Sequence, residues 1–314
     1  MQVHHGIEHF RRLSNAVVTS GTFDGVHLGH QKILQRLIES ARQSQGESVV
    51  LTFWPHPRTV VAADSADLKL LNTLEEKIES LAASGIDHLV VIPFNRDFSL
   101  LTSDEFIRNI LIATIGTKRL VIGYDHRFGR NREGGFDYLQ AHAHEYGFTV
   151  EEIPSQDVEH LAVSSTRIRQ ALLSGDVGTA ANFLGRPYTL SGTVVKGRQL
   201  GRQLGYPTAN LELPESYKLV PADGVYAVRV RWRNDWYGGM LSIGTNPTVE
   251  GTIRTIEVNI FDFDQEIYGE KLTLEFVAWL RGQVKYEGLE PLITQIGQDK
   301  VDSLAILHSH SYTK

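Results

Sequence analysis

The segment Gly21-Thr-Phe-Asp-Gly-Val-His-Leu-Gly-His30 gathers residue types suited to a polyphosphate. It falls where a strand reads into a helix, a place where backbone N–H groups and the positive end of the helix dipole face outward and favour anions. Gly21, Gly25 and Gly29 permit close backbone approach or a positive φ. His27 and His30 are three apart, so at a helix start they share a face, and both rings can donate hydrogen bonds to phosphate oxygens. Such donors stabilise the charge that develops on a departing pyrophosphate without any covalent nucleophile. The plainer alternative is a glycine-rich turn with exposed histidines, and a bare His-x-Gly-His does not decide between them.

A second cluster runs from Gly201-Arg-Gln-Leu-Gly-Tyr-Pro-Thr-Ala-Asn210 to Glu257. Gly197, Gly201 and Gly205 punctuate a loop, while Lys196, Arg198 and Arg202 supply positive charge. Thr208 and Asn210 offer neutral oxygens that, with nucleotide phosphates and water, suit Mg²⁺. The plainer alternative here is a barrel loop in which Thr208 and Asn210 close turns. For Glu257 it is a strand residue paired with Arg254 or Lys271.

The elements around these clusters follow two grammars. From Ala16 to about Ile153, short β-branched runs alternate with amphipathic ones: strands at Ala16 to Ser20, Ser48 to Phe53, Leu89 to Ile92 and Arg119 to Ile122, helices at Leu28 to Arg42, Leu74 to Ala83 and Ser103 to Ile112. That alternation predicts right-handed crossovers and a parallel sheet covered on both faces, with ligands beyond the carboxyl ends of its strands. Two short helices, Ser165 to Leu173 and Val177 to Leu184, precede a change near Gly185. Beyond it, strands at Thr189 to Val195, Gly224 to Trp232, Gly238 to Ile243, Thr255 to Ile260 and Lys271 to Ala278 follow one another without helices, which predicts a closed antiparallel barrel. A last helix from about Leu289 to Ala305 packs on it.

Composition agrees with two globular domains. The 314 residues exceed the roughly 150 typical of one domain, and 41% hydrophobic with 22% charged residues excludes a disordered or low-complexity chain. With 31 basic against 37 acidic side chains the net charge is -6, which argues against a nonspecific nucleic-acid binder. The absence of cysteine removes disulfide scaffolds, thiolate nucleophiles and cysteine-ligated zinc. Met1 to Arg12 lacks the apolar core of a signal peptide, and the apolar runs are shorter than the roughly 18 residues of a membrane helix, so a cytoplasmic protein with no membrane partner is expected.

The ten residues from Gly21 to His30 resemble in full the nucleotidyltransferase signature Gly-x-Phe-Asp-Gly-x-His-x-Gly-His, in the form found in bacterial FAD synthetases. Ser164-Ser-Thr-Arg-Ile-Arg169 looks like that family's Ser-Ser-Thr-x-Ile-Arg motif, and Phe53-Trp-Pro-His-Pro57 resembles a segment of its flavin pocket. Gly123-Tyr-Asp-His-Arg-Phe-Gly129 resembles Gly-x-Asp-Phe-Arg-Phe-Gly, with His126 where many relatives carry Phe. The string from Gly201 to Asn210 resembles the riboflavin kinase signature Gly-Arg-x-Leu-Gly-Tyr/Phe-Pro-Thr-Ala-Asn. That likeness continues through Asp223-Gly-Val-Tyr226, Ile243 to Thr248, Glu257 to Asp264, Tyr268-Gly269 and Leu280-Arg281. With all motifs in order, the chain is identified as a member of the bifunctional bacterial riboflavin kinase/FAD synthetase family.

The resemblance implies a Rossmann-like nucleotidyltransferase domain over residues 1–184 and a β-barrel riboflavin kinase domain with a C-terminal helix over 185–314. It implies phosphorylation of riboflavin by MgATP to FMN, then transfer of AMP from ATP to FMN, giving FAD and pyrophosphate, with flavins as substrates and products. For the adenylyltransferase it implies an ATP and phosphate site of Gly21, Thr22, Phe23, Asp24, His27, Gly29, His30, Asp125, Ser164, Ser165, Thr166 and Arg169, with His27, His30 and Arg169 as the catalytic group. Its flavin would lie on Phe53, Pro55, His56, Pro57, Arg127 and Phe128. For the kinase it implies ATP at Gly192, Lys196, Gly201, Arg202, Gly205, Thr208 and Asn210, Mg²⁺ at Thr208 and Asn210, and flavin at Glu257 and Arg281, with Glu257 the general base for the ribityl 5′-hydroxyl. Family members can associate through contacts between the two domains, so a homo-oligomer is compatible with this reading. Two other readings stand beside it: a nucleotidyltransferase with a nonflavin acceptor, and a noncatalytic flavin-binding protein.

Overall fold

Continuous apolar strands can be buried only if both faces of a sheet are covered, and that is how the first half of the chain is built. The computed structural model describes residues 1–61, 68–123, 126–130, 133–153, 163–197, 200–248 and 251–309. Contacts divide the chain into two compact units, Met1–Ser165 and Thr166–Lys314.

In the first unit, six parallel strands stand in the order β1-β4-β3-β2-β5-β6. They are β1 (Gln2–His5), β2 (Ala16–Ser20), β3 (Glu47–Trp54), β4 (His88–Pro93), β5 (Thr117–Gly123) and β6 (Thr149–Ile153). Alternate residues of the central strands feed two separate cores. Ala16, Val18, Val49 and Leu51 pack with the helical segment Phe106–Ile115 on one side. Val17, Val50 and Leu89 pack with Leu34, Leu37 and Leu81 of the helices Leu28–Gln43 and Leu74–Ala83 on the other. Because β2 lies between β3 and β5, the strand order reverses there, and the segment leaving β2 opens at a topological switch point.

Two features depart from the sequence pattern. The edge strands β1 and β6 were not foreseen, because in β1 no residue is buried and in β6 only Ile153 is. The helix expected from Ser103 to Ile112 instead opens with a capping box at Thr102 and Glu105, turns to π-winding over Phe106–Ile115, and ends at Gly116 with φ 84°. The wider winding keeps Phe106, Ile107, Ile110, Leu111 and Ile115 buried together.

The second unit is a closed antiparallel barrel in the order β10-β11-β8-β7-β12-β9. Its strands are β7 (Thr189–Val195), β8 (Ala209–Glu212), β9 (Gly224–Trp232), β10 (Asp235–Thr248), β11 (Gly251–Ile260) and β12 (Lys271–Arg281). Burial alternates along β7 and β12, placing Leu190, Val194, Leu272, Leu274 and Phe276 inside, as closure of a small barrel requires. The helix Leu289–Ser309 packs on β9, β10 and β12. The helices Ser165–Leu173 and Val177–Leu184 group with this unit: the N–H of Ala222 donates to the carbonyl of Leu172 at 2.9 Å, and Val177–Leu184 packs on β12. Among the described residues no helix is long and apolar enough to cross a membrane.

At Gly116 the φ of 84° lies in the left-handed region, and a Cβ there would stand 2.1 Å from the carbonyl oxygen of Leu13. Both effects oppose any side chain, so Gly116→Ala should destabilise the first unit by more than about 1 kcal/mol, read from its denaturant midpoint.

Candidate functional site

Each unit carries one candidate site. In the first, the segment after β2 turns back on itself through three left-handed residues, Phe23 (φ 47°), Gly25 (φ 86°) and Val26 (φ 42°). That conformation costs of order 1–3 kcal/mol at each non-glycine residue and persists only when the surroundings over-determine it. Here the holding group is Asp24, buried at 2% exposure. Its Oδ1 accepts the N–H groups of Leu71 at 2.9 Å and Asn72 at 3.3 Å, and its carbonyl accepts the hydroxyl of Ser165 at 2.9 Å. Thr52 adds a hydroxyl bond to the carbonyl of Thr22 at 3.4 Å, and the N–H of Gly21 donates to the carbonyl of Leu51.

The turn delivers His27 to the N-cap of the helix Leu28–Gln43, where its Nδ1 accepts the N–H of His30 at 3.4 Å. An acceptor at Nδ1 leaves the proton of the neutral ring on Nε2, the nitrogen that can donate to phosphate. The two imidazoles stack, with centroids 3.7 Å apart, and Phe23 lies 5.1 Å from His30. Burial, with His27 and Lys77 nearby, holds His30 well below its usual range, so it is neutral near pH 7. Gly29, between them in the sequence, is buried.

Aromatic rings gather near the ends of β3 and β4. Phe53 lies 5.8 Å from both Phe94 and Phe98, Phe98 is 6.2 Å from Phe106, and Phe106 is 5.5 Å from Phe128. Phe53, Phe94, Phe98 and Phe128 are partly exposed over the buried Phe106, and exposed ring faces suit a flat conjugated ligand. The sequence reading named Phe53 and Phe128 and missed Phe94 and Phe98, whose only signal was their position after a buried strand. Pro55 is exposed, and Pro57 begins the short helix Pro57–Val61, where the buried His56 accepts the N–H of Arg58 on its Nδ1 at 3.2 Å. Arg127 is exposed and donates to the carbonyl of His126, whose Nε2 lies 3.3 Å from the Ser20 hydroxyl at the end of β2. Asp125 lies outside the described residues. Ser164 is exposed; Thr166 and Arg169 lie on the helix Ser165–Leu173 within the second unit, Thr166 exposed and Arg169 half-buried.

In the barrel, a cavity of about 640 Å³ is lined by Lys196, Asn210, Lys218, Arg254 and Glu257, among others. The β8–β11 register sets Asn210 directly opposite Glu257, and the hydroxyl of Thr208 donates to Oε2 of Glu257 at 3.3 Å. Asn259, next but one to Glu257, donates to the carbonyl of Pro207 at 2.7 Å and so ties the loop to β11. Gly197 admits this arrangement because a Cβ there would stand 2.2 Å from the Asn210 amide. Gly192 is buried in β7, Gly201 and Arg202 lie on the short helix Leu200–Gln203, and Gly205 follows it with φ 83°. Among the described residues Arg254 pairs with Asp223 at 2.7 Å, and Glu257 accepts the Thr208 hydroxyl. Arg281 makes a two-pronged bond to the buried Asp299, at 2.8 and 2.6 Å, clamping the C-terminal helix to β12. Arg198 lies outside the described residues.

Residues 9–167 match the family model described as FAD synthetase, and residues 184–307 the one described as riboflavin kinase. A Haemophilus influenzae protein named bifunctional riboflavin kinase/FMN adenylyltransferase is 37% identical, over 98% of this chain and 100% of its own. One of the same name from Listeria monocytogenes is 39% identical, over 93% and 92%. A crystal structure from Streptococcus pneumoniae, described as a macrolide-efflux protein, superposes with a TM-score of 0.86 at 32% identity, covering 96% of this chain and 99% of that one. A parallel-sheet unit of the FAD synthetase type is thus joined in one chain to a barrel of the riboflavin kinase type. The chain belongs to the family of bifunctional riboflavin kinase/FMN adenylyltransferases.

Lys77, which the sequence pattern did not single out, is 1% exposed on the packed face of the helix Leu74–Ala83. Its signal was a lysine in step with Leu74, Ile78 and Leu81. Burial pushes its ammonium from 10.5 down to about 8, against the opposing pull of Asp24. Between those two values the unfolded chain holds a proton that the folded one has lost, so this group makes stability rise with pH across the window. The expected rise is about 3 kcal/mol from pH 8 to 10.5. Denaturant unfolding across that range should show the rise in the parent and a flatter profile in Lys77→Met.

Proposed function

We propose that this chain makes FAD from riboflavin in two steps, FMN formation in the part from residue 185 to 314 and adenylyl transfer in the part from residue 1 to 184. The observation that carries the reading is the presence of both family matches in one chain, each over a unit with its own candidate site. In the first step Glu257 accepts the proton of the ribityl 5′-hydroxyl as that oxygen attacks the γ-phosphorus of ATP and ADP leaves. The Thr208 hydroxyl orients the carboxylate, and Lys196 on the cavity wall offers charge to the phosphates. Thr208 and Asn210 are neutral hard oxygen donors, so together with the nucleotide phosphates they fit Mg²⁺, which when bound would neutralise phosphate charge and leave Glu257 as the base.

In the second step an FMN phosphate oxygen attacks the α-phosphorus of a second ATP, and the bond to pyrophosphate breaks. His27 and His30 donate to the departing phosphates from the helix N-terminus, whose dipole acts in the same sense. Arg169, with Ser164 and Thr166, assists at the phosphates, and the rings of Phe53 and Phe128 carry the flavin. We place the reaction in the cytoplasm, with flavins and ATP as small-molecule partners and no nucleic acid or membrane partner; a homo-oligomer is compatible with this reading.

Purified protein given riboflavin, ATP and Mg²⁺ should produce FMN before FAD, resolved by chromatography over time; failure to convert either flavin overturns the reading. His27→Ala combined with His30→Ala should abolish FAD formation and leave FMN formation, and equal loss of both in a folded variant would contradict separate sites. Glu257→Gln should lower riboflavin phosphorylation by about 10²-fold or more while FMN supplied directly is still adenylylated. A parental kinase rate in that variant removes Glu257 as the base.

A further inference from the structure

Lys77 is a buried charge that the two-step scheme does not use. A lysine kept only to fill space is poorly chosen, since methionine has a similar volume and escapes the desolvation cost. What surrounds Lys77 is not filler either. Its ammonium stands 5.4 Å from the centre of the Trp54 ring at the end of β3. The titratable groups that act on it or respond to it are Asp24 from the turn after β2 and His30, stacked on His27, from the helix Leu28–Gln43.

Two independent observations point to a working charge. Asp24 sits between the left-handed Phe23 and Val26, so whatever fixes Asp24 fixes the turn that delivers the histidines. Its two backbone donors, Leu71 and Asn72, immediately precede the capped start of the helix that carries Lys77, so ligand loop and lysine helix are tied at one carboxylate. The second observation concerns unmet hydrogen bonds. Among the described residues, His30 Nδ1 and Asn72 Oδ1 are buried without a partner, and Asn72 is only 5% exposed. Buried polar atoms without partners are rare in folded proteins, and each calls for a reason such as a ligand or a catalytic role.

We propose that Lys77 is a positioning residue for adenylyl transfer: on a helix whose Leu81 packs in one cluster with Phe23 and Val26, its buried charge favours the Asp24 carboxylate that shapes the strained turn Phe23 to Val26, and so the presentation of His27 and His30 to the ATP phosphates, and it adds positive charge behind them. The inference rests on the reading that the first unit transfers AMP from ATP to FMN.

The test is steady-state FAD formation from FMN and ATP by the full-length Lys77→Met variant, with a cooperative denaturant transition of the first unit as the control for its folding and riboflavin phosphorylation as the control for the second unit. The expected result is a KM for ATP raised about tenfold or more and a lowered kcat, with the kinase rate within about twofold of the parent. The parent should also lose ATP affinity between pH 7 and 9 as Lys77 loses its proton, and the variant should be flat there, which a space-filling role would not produce. Parental kinetics and an unchanged pH profile in Lys77→Met overturn the inference. If the single variant fails to fold because the Asp24 carboxylate is left alone, Asp24→Asn with Lys77→Met removes both charges; that chain should fold and still form FAD slowly, and parental rates in it overturn the inference. A parent that makes no FAD from FMN removes the reading of the unit and this inference with it, whereas a competent parent beside an unaffected variant removes this inference alone.

Discussion

The Asp24 carboxylate is the interaction on which the first site depends. A turn with Phe23 and Val26 in the left-handed region does not hold its shape on local preference, since a β-branched residue is disfavoured there. Two backbone N–H groups from the segment before the helix Leu74–Ala83 supply the missing constraint, and the Ser165 hydroxyl bonds the carbonyl of the same residue. Because β2 is central and its neighbours run in the same direction, the turn emerges where helix N-termini and strand ends converge. The stacked imidazoles are thus a product of sheet topology and of one buried charge acting together.

In the barrel, strand register plays the corresponding part. Antiparallel pairing places Asn210 opposite Glu257, and a one-residue slip would carry one of them to the other face. Closure removes free edges and makes that register hard to shift. The loop before β8 is then held by Asn259 through the Pro207 carbonyl, so Thr208 meets the carboxylate from a fixed direction. Arg281 contributes by clamping Asp299 and with it the C-terminal helix.

Polar groups at low exposure recur in the first unit, and they explain where pattern reading stops. Period and composition identify apolar faces, so the central strands and the helix Leu74–Ala83 were recognisable to within a residue or two. The edge strands β1 and β6 carry too few buried residues to show a period, and β8, with four residues in a polar stretch, shows none. The π-wound segment Phe106–Ile115 reads as an ordinary helix because its apolar spacing satisfies both windings over a short length.

From the sequence alone came the parallel sheet, the barrel and the family, because period and motif order are local properties; the residues of the two candidate sites came from the resemblance of those motifs, position by position. Tertiary structure alone decided which of these residues meet. The pairing of Glu257 with Thr208, the tie of Asp24 to Leu71 and Asn72, the aromatic contacts of Phe53 with Phe94 and Phe98, and the burial of Lys77 all join segments far apart in the chain. Hydrogen bonds, charge and desolvation act through space, so their partners are set by strand order and register, which no local window contains.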